Sequence, residues 1–375
     1  LCDEPFGKIW WTERKKKSHF KLHLKWYGKE MNVGMSSHGK NLAIGVIGTG
    51  GMGTRHVMNL CRFVSDADAT ALYDVDRARV RQVAAGCGGA RVFDDPYALI
   101  QSDVVDAVLI ASPDETHAAL TLACLEAGKP VLCEKPLATT VADAARVLQG
   151  ETALGRRLVS VGFMRRFDPQ HVAVKNMAHT LELGEPLLFK GVHRNASVPF
   201  GTTGATVLIN SAGHDLDSAR WMLEGEVEQV YVRGFRSRAD LHPETQDLLF
   251  IILSFANERM ATVEVYVNDD YGYEVSAELV CQHGTAVTEQ PDEVLVRAQG
   301  RRGYQVPNDW LARFNEAYIQ ELRAWVDSIQ LGHPFPGASA WDGFVTMLVT
   351  DACIQSLRTG EIVQASLPEK PALYG

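Results

Sequence analysis

Leu42-Ala43-Ile44-Gly45-Val46-Ile47 runs without a break into Gly48-Thr49-Gly50-Gly51-Met52-Gly53. The first six residues form a short apolar run, the pattern of a strand buried on both faces. The next six read G-x-G-x-x-G and lead into a helical pattern over 51–63. Strand, glycine turn and helix in that order make a phosphate cradle. Gly48 permits the tight turn, Gly50 lets backbone approach a pyrophosphate, and Gly53 lets helix and strand pack closely. The helix N-terminus adds free N–H groups and a partial positive charge.

Downstream, strand-like runs recur at 70–73, 107–111, 131–133 and 158–161. Helical patterns at 76–85, 116–127 and 141–152 separate them. Strand alternating with helix means βαβ units and a parallel sheet, with the ligand crevice at the carboxyl ends of the strands. The 70–73 run ends at Asp74. A carboxylate there can accept hydrogen bonds from the adenosine ribose hydroxyls and would repel a 2′-phosphate. The expected cofactor is therefore NAD rather than NADP.

After about Met164 the alternation stops. Strand-like stretches follow at 187–193, 227–232, 248–255, 260–267 and 274–280, with one helix expected over 209–223. Two helices close the chain, roughly 313–330 and 340–357. This pattern predicts an α/β fold: an N-terminal Rossmann dinucleotide-binding domain, then an α+β domain with an open, mostly antiparallel sheet. The expected limits are 35–163 for the first and 164–337 for the second, a substrate-binding and oligomerisation domain. The last segment, 338–375, is free to return to the first domain.

The 375 residues are 46% apolar and 22% charged, an ordinary globular composition with length for two domains. Net charge is −9. Eight of the basic and four of the acidic residues lie in 1–34, so the remainder carries −13. An acidic body argues against nucleic acid as a partner. No apolar run approaches the roughly 18 residues of a membrane span. Seven scattered cysteines without a C-x-x-C pair read as free thiols in a reducing cytoplasm, and no metal site is expected. Residues 1–34 carry the basic run 14–17 and aromatics without a clean period. They read as a non-native or disordered extension before a start near Met31 or Met35. The His19/His23 pair within them is set aside for that reason.

The 131–133 strand ends in Glu134-Lys135-Pro136, beside the nicotinamide by the crevice rule. A lysine is usually a solvated surface charge, but this one ends a buried strand and is held away from helical angles by Pro136. Glu-Lys-Pro below such a cradle resembles the Gfo/Idh/MocA family of oxidoreductases. Gly162-Phe163-Met164-Arg165-Arg166, Val192-His193-Arg194-Asn195, Asn210-x-x-x-His214-Asp215-x-Asp217 and Tyr273 are similar to the inositol 2-dehydrogenase branch. The resemblance covers about residues 42–360. It implies Lys135 as the catalytic lysine. It places Lys135, His193, Asn195, His214 and Tyr273 on a cyclitol, and Ser112, Glu134 and Arg165 at or near the cofactor. It also implies a homotetramer.

The chemistry suits these residue types. Oxidising a secondary alcohol needs a base for the hydroxyl proton while hydride leaves carbon. A histidine titrates near neutrality and suits the first task; a lysine can stabilise the developing alkoxide. Asn210 and His214 lie four apart on the expected helix and share a face. Asp215 and Asp217 read as structural carboxylates. The family pattern has Asp at the position of Asn210, and an amide cannot act as a base. That departure puts the choice of polyol in doubt. The expected reaction is NAD-dependent oxidation of myo-inositol to its 2-keto product. The alternatives are a scyllo-inositol, aminocyclitol or sugar dehydrogenase, and a non-catalytic NAD-dependent sugar sensor. Retention of Lys135 and His214 argues against the sensor.

Overall fold

The computed structural model describes residues 22–26, 29–33, 41–180, 183–199, 201–289, 296–298, 300–303 and 306–375. It divides into two compact units, 1–40 and 41–375. In the first, Leu22–Trp26 pairs antiparallel with Lys29–Val33. The rest of the expected 1–34 extension, including His19, lies outside the described residues.

The second unit holds two seven-stranded sheets. The first is ordered Arg91–Val92, Ala67–Tyr73, Leu42–Ile47, Ala107–Ile110, Val131–Glu134, Val159–Gly162, with Ala338–Ser339 on the far edge. Counted by their order in the chain, the first six strands run 3-2-1-4-5-6, all parallel. The order reverses between Leu42–Ile47 and Ala107–Ile110, so the ligand crevice opens above those two strands. Val131–Glu134 is buried along its whole length, which is why its sequence shows no alternation. Helices cover both faces. Helix Trp310–Leu331 seals one of them, burying Leu322, Trp325 and Val326 against Ile44, Val46, Val57 and Leu60. Each such fully buried side chain contributes roughly 1.5–3 kcal/mol.

The second sheet is ordered Gly284–Val287, Glu274–Cys281, Pro186–Arg194, Met260–Tyr266, Leu248–Phe255, Val227–Phe235, Val363–Gln364. All its pairs are antiparallel except Met260–Tyr266 with Pro186–Arg194. Its strands alternate buried and less buried residues, as Glu274–Cys281 does throughout with buried and half-buried positions. One face packs on helices Pro169–Thr180, Gly213–Leu223 and Ala340–Thr359. Phe235, Phe250 and Met260 are exposed on the other. Helix Ala340–Thr359 starts with a capping box in which Ser339 and Asp342 satisfy each other's backbone N–H groups. It packs on both sheets' layers, touching helix Val141–Leu154 and strand Val227–Phe235.

Three sequence readings are corrected. The cysteines are not all free thiols: Cys61 and Cys87 form a disulfide, while Cys124, Cys133, Cys281 and Cys353 are free and buried. The helix expected over 209–223 starts earlier, at Gly204, and carries a π-helical stretch over Leu208–Ala212. Helix Pro169–Thr180 was not anticipated.

Candidate active site

The glycine turn has the geometry of a phosphate cradle. Gly48 sits at φ +93°, and a Cβ there would lie 2.5 Å from the Ala111 carbonyl oxygen. A Cβ on Gly53 would lie 1.8 Å from the Gly48 oxygen. These two glycines are required by close backbone approach. Gly50 and Gly51 differ, for a Cβ on either meets no protein atom within 4 Å. That space lies at the N-terminus of helix Gly51–Phe63, where no side chain caps the N–H groups. The residues therefore fit a bound pyrophosphate. Met52 packs towards the cluster that holds Met164 and Tyr273.

Asp74 is buried at the end of its strand and holds the turn. Its Oδ2 accepts from the Thr49 amide at 2.6 Å and the Thr49 hydroxyl at 2.9 Å. Its Oδ1 accepts from the Asp76 amide at 2.8 Å and from Arg79 at 2.6 Å. Burial raises the carboxyl pKa, but Arg79, the Asp76 and Thr49 amides and the Thr49 hydroxyl outweigh it, so the pKa is lowered. Ser112 follows the fourth strand of the sheet, with its amide beside Gly48 and its hydroxyl 2.6 Å from that of Thr116.

Val131–Glu134 delivers Glu134 and Lys135 to the same crevice, and the Lys135–Pro136 peptide is cis. Glu134 turns back beneath the cradle. Its Oε1 lies 2.6 Å from His56 Nε2, a residue of the cradle helix, and its Oε2 accepts from the Lys135 amide at 3.2 Å. Burial raises its pKa; His56, Lys135 and His117 more than reverse this, and it is lowered.

Lys135 crosses to the second sheet's helices. Its Nζ donates to the backbone oxygen of Asn210 at 3.2 Å. The contact is with the main chain, so the amide side chain, which is exposed, is not what receives the ammonium. Asn210 lies in the π-helical stretch, a distortion common at functional sites. One turn on, His214 is buried with its ring edge-on to Phe163 and its Nδ1 without a partner. Its pKa falls well below the ordinary histidine value. Burial is the first cause, followed by Lys135, Arg165, His193 and His171. A neutral imidazole beside an ammonium can accept a proton from a hydroxyl placed between them.

Strand Pro186–Arg194 brings His193 to the same side. Its Nδ1 donates to Asp215 Oδ2 at 2.9 Å, which leaves Nε2 as an acceptor. Its pKa is lowered by burial, against the pull of Asp215. Arg165 is buried and ion-paired to Asp215 Oδ1 at 2.6 Å. It lies beside His193 and faces Tyr273. Burial pushes the Tyr273 hydroxyl up to about 12, and the His193 and Tyr273 rings meet edge to face. Asn195 is half-buried just past the strand end, its amide bonded to the Tyr266 oxygen at 2.9 Å. Arg166 forks onto Asp217 at 2.9 and 2.6 Å and also reaches Asp342. Sequence reasoning missed His56 and His117, both buried beside the Glu-Lys-Pro turn. No local pattern marks them. Among the described residues no group of three or more His, Cys, Asp or Glu is placed to hold a metal.

The profile of an oxidoreductase family with an NAD-binding Rossmann fold matches residues 42–163, and that of its C-terminal α/β domain matches 177–365. The chain belongs to the Gfo/Idh/MocA oxidoreductase family. Within this family, the inositol 2-dehydrogenase of Rubrobacter xylanophilus is 45% identical over 91% of the chain and 98% of that protein. Inositol 2-dehydrogenase 1 of Saccharopolyspora erythraea is 44% identical over 88% of the chain and 98% of its own length. The crystal structure of a Lactobacillus casei myo-inositol dehydrogenase with NAD(H) and myo-inositol superposes with a TM-score of 0.85. It is 28% identical and covers 89% of this chain and all of its own. As a Gfo/Idh/MocA oxidoreductase the protein uses NAD.

Proposed function

We propose that the protein oxidises one secondary hydroxyl of a cyclitol, with myo-inositol giving the 2-keto product. The observation that carries this reading is the convergence of Lys135 and His214. The ammonium of the first reaches the π turn that leads into the second, and its charge helps to hold the second's imidazole neutral. Bound NAD supplies a hydride acceptor at its nicotinamide ring. Gly48, Thr49, Gly50, Gly51, Met52 and Gly53 would hold its phosphates, Asp74 would receive the ribose hydroxyls, and Ser112, Glu134 and Lys135 would stand at or near the cofactor. His193, Asn195, Asn210 and Tyr273 orient the ring hydroxyls. His214 takes the hydroxyl proton and Lys135 stabilises the oxygen as negative charge develops on it. Arg165, which shares Asp215 with His193, would stand at or near the cofactor.

The relatives' inositol dehydrogenase names support the substrate class. Asn210, which stands where the family pattern has Asp, keeps scyllo-inositol, an aminocyclitol or a sugar as the second reading. The uncovered sheet face, with Phe235, Phe250 and Met260 exposed, supports assembly into a homotetramer through it. The domain limits we favour are 35–163 and 164–337; of the closing segment, Ala338–Ser339 joins the edge of the first sheet, whereas Val363–Gln364 joins the second. Among the described residues no helix is long and apolar enough to cross a membrane, and we place the protein in the cytoplasm. The test is NADH formation on a panel of inositol isomers and hexoses, with NAD and NADP. Turnover of myo-inositol above the rest is expected. Saturable NAD binding with no turnover of any polyol would overturn the reading in favour of a sensor.

A further inference from the structure

His117 opens helix His117–Glu126, directly behind the crevice, and its side chain is 1% exposed. Its Nδ1 lies 2.7 Å from the Pro136 carbonyl oxygen. Its Nε2 lies 2.9 Å from the Ser112 carbonyl oxygen. Both distances are those of ordinary hydrogen bonds. A carbonyl oxygen only accepts, whereas a neutral imidazole carries one N–H and one lone pair. In either neutral tautomer one contact would set lone pair against lone pair, in a place that water does not reach. Only the doubly protonated ring satisfies both.

We propose that His117 is a positioning residue: held as an imidazolium, it bridges the Ser112 loop to the turn that presents Lys135. The two carbonyls belong to segments that leave the adjacent strands Ala107–Ile110 and Val131–Glu134. One of them carries the lysine, and the other leads from Gly48's neighbour Ala111 into the nicotinamide end of the crevice. The bridge therefore fixes the distance between cofactor loop and catalytic ammonium. It rests on NAD binding in this crevice and is independent of which polyol is oxidised.

A buried cation must be compensated. The two carbonyl dipoles point at it. Cys133 and Glu134 face it from strand Val131–Glu134, and the Glu134 carboxylate feels its charge. Asp114 and Glu115 stand on the turn before it, and Lys135, next to Pro136, is the opposing cation. Burial lowers the pKa of His117, but Cys133 and the two carbonyls override it and raise the value to about 10. A histidine with a raised pKa stabilises the fold fully below about pH 6.5 and ceases to do so as pH rises through its folded value.

The direct test is the pH dependence of hydrogen–deuterium exchange at the His117 ring C2, carried out on the folded protein and read by mass spectrometry after digestion. His117 is the only histidine between Val92 and Arg146, so the peptide reports it alone. A midpoint near 10 is expected. A midpoint at or below the free-imidazole value of about 6.5 would overturn the proposal. Two variants add a functional readout. His117→Gln and His117→Phe cannot donate from two opposed atoms, and each should lose about tenfold or more in kcat through misplacement of Lys135. Their thermal stability should also fall less than the wild type's between neutral pH and pH 10. Variants with wild-type kcat and an unchanged pH slope of stability would refute the bridge. Where a variant does not fold, the exchange midpoint of the wild type decides.

Discussion

Gly50→Ala and Gly53→Ala add the same methyl group three residues apart, yet the structure assigns them different fates. At Gly53 the new Cβ would stand 1.8 Å from the Gly48 oxygen, where real contacts do not fall below 3.0 Å. The atoms on both sides are backbone, so the strand and helix must separate by about 1.2 Å. Forcing extra volume into a packed site costs about 1–3 kcal/mol, with backbone displacement at the upper end. At Gly50 the backbone angles are φ −65° and ψ −159°, which alanine adopts, and nothing lies within 4 Å. The apoprotein should keep its stability to within about 0.5 kcal/mol.

The methyl at Gly50 does fill the space that fits the pyrophosphate. Loss of close approach to one or two helix N–H groups should weaken NADH binding about 10- to 100-fold, or roughly 1.4–2.8 kcal/mol. Thermal unfolding of the apoproteins and fluorescence titration with NADH separate the two effects. The expected outcome is a stable Gly50→Ala protein with poor cofactor affinity and an unstable Gly53→Ala protein. Wild-type NADH affinity in Gly50→Ala would refute the assignment of that space. So would an apoprotein as unstable as Gly53→Ala.

Three further outcomes are expected. Lys135→Met, which keeps bulk and removes the donor to the Asn210 carbonyl, should lower kcat by about 10²–10³ with little change in NAD affinity; near-normal turnover would show that the lysine only packs. Asp74→Ser should narrow the preference for NAD over NADP, because it removes a repelling carboxylate and frees Arg79, now bound to it at 2.6 Å; initial rates with both cofactors measure this, and an unchanged ratio would contradict it. Asn210→Asp should move the acidic limb of kcat/KM to higher pH, since a carboxylate favours protonated His214 while oxidation needs the neutral ring; a limb displaced to lower pH would contradict His214 as the base.

The first sheet was readable because its signals are local. Leu42–Ile47 announces itself by an unbroken apolar run, and G-x-G-x-x-G follows it directly. Arg91–Val92 left no trace, since two residues cannot display a period. Helix Pro169–Thr180 was missed because its apolar residues mark no clear stripe. In the second sheet five strands were legible as strand-like stretches, but the short edge strands Gly284–Val287 and Val363–Gln364 were not, and the parallel pairing of Met260–Tyr266 with Pro186–Arg194 is a long-range choice that no window of sequence contains. The site divides the same way. Lys135, His193 and His214 stand in recognisable motifs. His56 and His117 acquire meaning only through partners 78 and 19 residues away. The Cys61–Cys87 pair, separated by 26 residues, needed the fold to bring it together.

Asn210 illustrates why a substitution inside a motif need not disable it. The ammonium of Lys135 is received by a main-chain oxygen, which every residue type supplies. Exchanging carboxylate for amide at that position leaves this contact in place and changes the local charge instead. Around His214 the charges that matter are the cations Lys135 and Arg165, with Asp215 already committed to Arg165 and His193. With an amide at 210 nothing anionic at that position offsets Lys135, so the field joins burial in holding His214 neutral. A carboxylate would have opposed both. The site is thereby biased towards the protonation state that accepts a proton from an alcohol, the state oxidation requires. It is biased against the imidazolium that would return a proton in the reverse direction.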